Sequence, residues 1–308
     1  MLCGVLILLH LICAGTAAEK SVFVSYAYHD WKRAAAGSNL EFFLKHGVSR
    51  PSPESDLLVE YGLVINGHCN RTVCTVPESF VRQDSKEMLL NVIRRRNVGY
   101  DFGAHTVMLD SLNRTYDSYI FLNDGVAGPV YPAYMPPSWH WTEAFTSKQI
   151  NGVELVGTSL FCKVGEYFKG KIGPVIETFA FSLTRKALVM LRKESKVFSQ
   201  HPTKKAVCNH GENAMTRIIL EHNMSIDTLL HAYQGVDWTN PSNWNCNEGS
   251  WPSRAGSYFG VSIHPFEVIF HKVYWAKQPS VLEQYQQRYM RWADNRLEAA
   301  GHVPAVDK

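Results

Sequence analysis

Apolar runs spaced like strands alternate along the chain with stretches spaced like helices. Residues 21–28 (SVFVSYAY) are rich in β-branched and aromatic side chains and predict a first strand. A helix over 39–45 follows, stopping at Gly47. Strands are predicted over 57–66 and 89–94. Over 101–112, Phe102, His105, Met108, Leu109 and Leu112 recur at helical spacing, and a strand over 118–123 comes next. The alternation continues with strands over 153–162 and 175–183 and helices over 185–192 and 212–222. Residues 281–297 place Val281, Leu282, Tyr285, Tyr289 and Trp292 on one face, as in an amphipathic helix packed on the body. Such alternation predicts an α/β, doubly wound, mainly parallel sheet with a C-terminal helical extension. The glycine- and proline-rich segment 125–138 reads as an ordered loop over the sheet's carboxyl edge, where ligands gather in open α/β folds. Residues 239–258 read as a polar, tryptophan-bearing loop.

The first eighteen residues lack Asp, Glu, Lys and Arg, and the apolar run 5–12 ends in the small residues 14–18. This is the pattern of a cleaved secretory signal over 1–18, too short for the roughly 20 apolar residues of a membrane span; a short uncleaved anchor is the alternative. It predicts a domain over 19–260, and a terminal strand and helix over 261–308, in the lumen of the endoplasmic reticulum or Golgi, or outside the cell. Sequons at Asn70, Asn113 and Asn223 agree with that route. Beyond the leader lie Cys69, Cys74, Cys162, Cys208 and Cys246, an odd set for an oxidising compartment. Their placement predicts Cys69–Cys74 and Cys208–Cys246 disulfides and a buried Cys162 thiol.

Composition narrows the function classes. With 45% hydrophobic and 19% charged residues the chain buries a full core, and a net charge of +3 is too small to point to nucleic acid. No H-x-H or H-E-x-x-H spacing occurs among its thirteen histidines, and no C-x-x-C among its cysteines, which disfavours a metallohydrolase or a structural zinc site.

Chemistry concentrates in three segments. The first, 97–104 (NVGYDFGA), enters a helix: Gly99 and Gly103 let backbone N–H groups approach a phosphate, and Asp101 can accept ribose or base hydrogen bonds; the same residues could also simply shape and cap the turn. The second, 119–128 (YIFLNDGVAG), is a strand delivering Asn123 and Asp124 to its end. The third, 211–226 (GENAMTRIILEHNMSI), opens a helix with Glu212 and Asn213.

These segments resemble the donor-binding half of GT-A-type glycosyltransferases, above all the rhamnan synthesis protein F type with its N-x-G-x-D-x-G-A stretch, matched by Asn97, Gly99, Asp101, Gly103 and Ala104. The resemblance implies a GT-A-like, Rossmann-like fold. It implies transfer from a nucleoside diphosphate sugar to a glycan or glycoprotein hydroxyl, with Asn97, Gly99, Asp101, Gly103 and Asn123 on the nucleotide. A D-x-D motif for Mn²⁺ or Mg²⁺ is implied at Asn123, Asp124 and Gly125, of which only Asp124 is acidic. Glu212 falls where such enzymes keep a general base. Asp237, ending an expected strand beside a Trp238 sugar platform, is a second candidate base. His264 or His271 is a candidate late metal ligand, and His29–Asp30 a nucleobase contact. The missing acids also admit a non-catalytic, glycan-binding or scaffolding protein on a decayed transferase fold.

Overall fold

The computed structural model describes residues 20–29, 39–67, 89–164, 172–272 and 281–299. The leader, Asp30, the Cys69–Cys74 pair and the Asn70 sequon lie outside them.

Strand β1 (Lys20–His29) is buried on both faces, which is why its apolar run hardly alternates. It pairs in parallel with β2 (Leu57–Asn66) on one side and β4 (Ser118–Asn123) on the other, and β2 pairs in parallel with β3 (Leu89–Arg95). On the far side of β4 lies β9 (Ala180–Thr184), antiparallel to it and to β6 (Val153–Gly157), with β10 (Ser225–Thr228) parallel to β6 at the edge. The seven-stranded sheet thus runs β10-β6-β9-β4-β1-β2-β3 and is mainly parallel, as expected for an α/β fold. Helix α1 (Tyr100–Asp110) packs on β1 and β2. Helix α2 (Arg185–Glu194) packs on β4, β6 and β9 and is capped by Thr184, whose hydroxyl accepts the Ala187 N–H. Helix α3 (Asn213–Glu221) packs on β6 and β10. Helix α4 (Val281–Ala299) is tied to the body by the Tyr289 hydroxyl, which donates to the Tyr131 carbonyl at 3.0 Å, and by His46 against Asp294 at 2.8 Å.

Two expected strands divide. The run 153–162 forms β6 and then β7 (Leu160–Val164), and the run 175–183 forms β8 (Ile172–Ile176) and then β9; β7 and β8 pair with each other as a separate antiparallel ribbon. Hydrophobic pattern reports burial, which continues through both breaks, and not the change of hydrogen-bonding partner. Of the expected C-terminal strand, the described residues form β11 (His271–Lys272), antiparallel to β5 (Val126–Ala127).

The cysteine pairing is also corrected. Cys162 of β7 is bonded to Cys246, and Cys208 is a free thiol. The tryptophan-bearing loop runs beside β7, where the Cys162 N–H donates to the Cys246 carbonyl at 3.2 Å. Cys208 lies elsewhere, beside Glu212.

Candidate active site

At the carboxyl edge of the sheet the end of β4 turns sharply. The Asp124 N–H donates to the Ala27 carbonyl at 3.1 Å, and its carboxylate accepts the His29 N–H at 3.0 Å, fastening the turn to the end of β1. The Asn123 amide is used at both ends: its oxygen accepts the Gly125 N–H at 3.0 Å and its nitrogen donates to Asp101 at 3.0 Å. The other Asp101 oxygen accepts the Phe102 N–H at 3.0 Å. Two segments singled out in the sequence therefore meet through Asp101 and Asn123.

Gly99 and Gly103 serve the chain's own packing. Gly99 has φ +78°, and a Cβ there would lie 2.7 Å from the Gln200 backbone; a Cβ on Gly103 would lie 2.4 Å from the Val98 carbonyl oxygen. Asn97 is exposed on the loop before α1.

Glu212 comes from the third segment, though not from a helix start. Residues 204–221 form one helical run, widened into π turns over Val207–Glu212, a distortion that often marks functional sites. The wide turns bring the half-buried Glu212 toward Asp101. Burial first, then the Asp101 charge, raise the Glu212 carboxyl above the ordinary glutamate value, while Lys272 opposes them. The neighbouring Cys208 thiol is pushed up to about 11, by burial and by Glu212.

Around these residues is a polar cavity of about 180 Å³, lined by Asp101, Asn123, Lys163, Glu177, Glu212 and Lys272, with Phe161, Phe179 and Trp251 as aromatic walls. Glu177, 6% exposed, occupies the break between β8 and β9. The Ser159 hydroxyl donates to it at 2.7 Å and the Ser253 hydroxyl at 2.6 Å, and burial raises its carboxyl. The Lys163 ammonium donates to the Asn213 side-chain oxygen at 2.7 Å.

Lys163, Glu177 and Lys272 were not singled out in the sequence. The signal available for the last two was a charge interrupting an apolar run, as in PVIETFAF and VIFHK.

Other candidates lie elsewhere. Residues 233–238 form no strand. Asp237 is exposed in a turn, where its carboxylate accepts the Thr239 N–H at 2.9 Å, and Trp238 is buried to 1% and offers no platform to a sugar. His264 caps a single helical turn, Pro265–Val268, and faces a different groove, lined by Tyr134, Phe266, Glu267, Tyr289 and Trp292. His271 is buried, which lowers its ring pKa to about 4.

The residues at the D-x-D position do not fit a protein-held divalent cation. Asp124 is their one carboxylate and already accepts from the backbone, and the Asn123 amide is committed to Asp101 and Gly125. Among the described residues, no three His, Cys, Asp or Glu side chains converge as a ligand set.

No family model matches this chain, and no curated protein does. Solved structures similar to it include the glycosyltransferase GlyE of Streptococcus pneumoniae, at 11% identity and TM-score 0.42, with 94% of this chain and 66% of that one covered. Mouse xyloside xylosyltransferase 1 aligns at 12% identity and TM-score 0.38, covering 66% of this chain and 82% of that one. The mannosyltransferase PcManGT of Pyrobaculum calidifontis, in complex with GDP-Man and Mn²⁺, aligns at 12% and 0.40, covering 92% and 76%. This chain spans about two thirds of the length of GlyE. At such identities and scores the likeness assigns neither substrate nor residue roles.

Proposed function

We propose that this chain transfers a glycosyl group from a nucleoside diphosphate sugar to a hydroxyl of a glycan or glycoprotein. The observation that carries the reading is the juxtaposition, in one polar cavity at the sheet's carboxyl edge, of the Asp101–Asn123 pair with a Glu212 carboxyl that burial and the Asp101 charge raise above the ordinary glutamate value. Asp101 and the 97–104 turn orient the nucleoside, and Asp124 holds the turn on which the diphosphate rests. Glu212 takes the acceptor hydroxyl proton as that oxygen attacks the anomeric carbon. The leader-like N-terminus and the Cys162–Cys246 disulfide support a place in the lumen of the secretory pathway or outside the cell.

The test is a panel of nucleoside diphosphate sugars assayed for donor hydrolysis and for transfer, on the parent and on Glu212→Gln. The variant is nearly isosteric and is expected to bind nucleoside diphosphate as the parent does while losing about a hundredfold or more in turnover. Normal turnover would remove Glu212 from the mechanism. A folded chain that binds no nucleotide would favour the non-catalytic reading, to which the absence of a carboxylate at Asn123, Gly125 and Asn213 lends support.

A further inference from the structure

We infer that Lys272 neutralises the leaving diphosphate, so that this chain binds and cleaves its donor without a divalent cation. The inference rests on the reading just given and on where β11 delivers this one side chain.

Lys272 pairs in register with Val126, directly after the Asn123–Asp124–Gly125 turn. A Cβ built on Gly125 would stand 4.0 Å from the Lys272 Cε, so the lysine stem lies over the bare glycine, against the turn where a metal would be held. Its ammonium sits 5.2 Å from the centre of the Phe179 ring, at the cavity wall, and its charge is felt by both Glu177 and Glu212. Lys163, the other lysine lining the cavity, is engaged by Asn213 on the α3 side.

The chemistry demands a positive charge at the turn. The bond between the anomeric carbon and the β-phosphate oxygen breaks, its electron pair stays on that oxygen, and the departing nucleoside diphosphate gains one negative charge. The acceptor oxygen forms the new bond and its proton passes to Glu212. Three carboxyl groups, Asp101, Glu177 and Glu212, already line this cavity and repel that anion. With Asn123 and Asp124 occupied as described, the cation that the described residues bring to the turn is Lys272, a strong donor to phosphate oxygens.

The experiment is calorimetry of the folded full chain with ADP, CDP, GDP, TDP and UDP, in EDTA and again with Mn²⁺, alongside Lys272→Met and Lys272→Arg. The best-bound diphosphate is expected to bind within about twofold in the two media. Lys272→Met should weaken it about 10- to 100-fold while affecting the matching nucleoside monophosphate much less, and Lys272→Arg should restore part of the loss. Binding that requires Mn²⁺ would overturn the inference while leaving the proposed reaction standing. So would a Lys272→Met variant that binds like the parent, or one that loses mono- and diphosphate equally. A folded parent that binds none of the five in either medium would overturn both.

Discussion

Two effects act in the same direction on the Glu212 carboxyl: burial and the Asp101 charge both favour its protonated form, and Lys272 only partly offsets them. A base works when ionised, so kcat/KM is expected to rise with pH through a value above the roughly 4.3 of an unperturbed glutamate. Asp101→Asn removes one raising charge and keeps a side-chain oxygen toward the Phe102 N–H. The acid limb of its pH–rate profile should shift to lower pH, and a limb that stays put would separate the two residues electrostatically. Asp101, Asn123 and Glu212 were legible in the sequence because each belongs to a short segment with its own pattern. Lys163, Glu177 and Lys272 were not. Each is a lone charge on or beside a strand: the interrupted apolar run marks Glu177 and Lys272 as unusual, but only the fold brings them into one cavity with Lys163. Asp237 and Trp238 failed for the complementary reason: a local polar–aromatic pattern looks the same in an exposed turn as beside a site.

At the scale of elements, β1, β2, β4 and α1 lie within a residue or two of where their apolar runs predict them, because a deeply buried element concentrates apolar residues between polar breaks. The runs that became β6–β7 and β8–β9 did not, since burial persists while the chain leaves one sheet for another. The second break matters chemically, because it puts Glu177 at the entrance of β9, and an antiparallel strand enters the sheet at the edge where its parallel neighbours end. Helix α1 supplies a test of how tightly its start is fixed. Alanine is favoured over glycine inside a helix by about 1 kcal/mol, so Gly103→Ala should stabilise a free helix. Here the new Cβ would meet the Val98 carbonyl oxygen at 2.4 Å, and Val98 is held in turn by the Arg95 guanidinium, which also donates to the Gly103 carbonyl at 2.5 Å. The clash should win, giving a net loss of about 1–3 kcal/mol in urea unfolding. A neutral or stabilising result would mean that the turn gives way freely.

For the molecule as a whole, the Cys162–Cys246 bond spans 84 residues and fixes the tryptophan-bearing loop against β7. Cys246→Ala is expected to cost roughly 2–5 kcal/mol, read as a lower urea midpoint under non-reducing conditions and matched by the parent in reductant. Equal midpoints would show the bond to be dispensable. The pairing was illegible from spacing, since cysteines far apart in sequence meet only once β7 has left the main sheet.

The pairing of β5 with β11 has a consequence for the order in which this molecule acquires its properties. Val126 and Lys272 face each other across the ladder, yet most of the sheet is made from chain that lies between them or before them. During synthesis the strands and their helices are available to one another well before Lys272 leaves the ribosome. The Asn123–Gly125 turn therefore waits beside three acidic groups until residue 272 is made, after all seven strands of the main sheet. On the proposed reading, affinity for an anionic nucleotide is a late acquisition, and a chain interrupted before Lys272 would carry a folded sheet whose cavity repels that ligand.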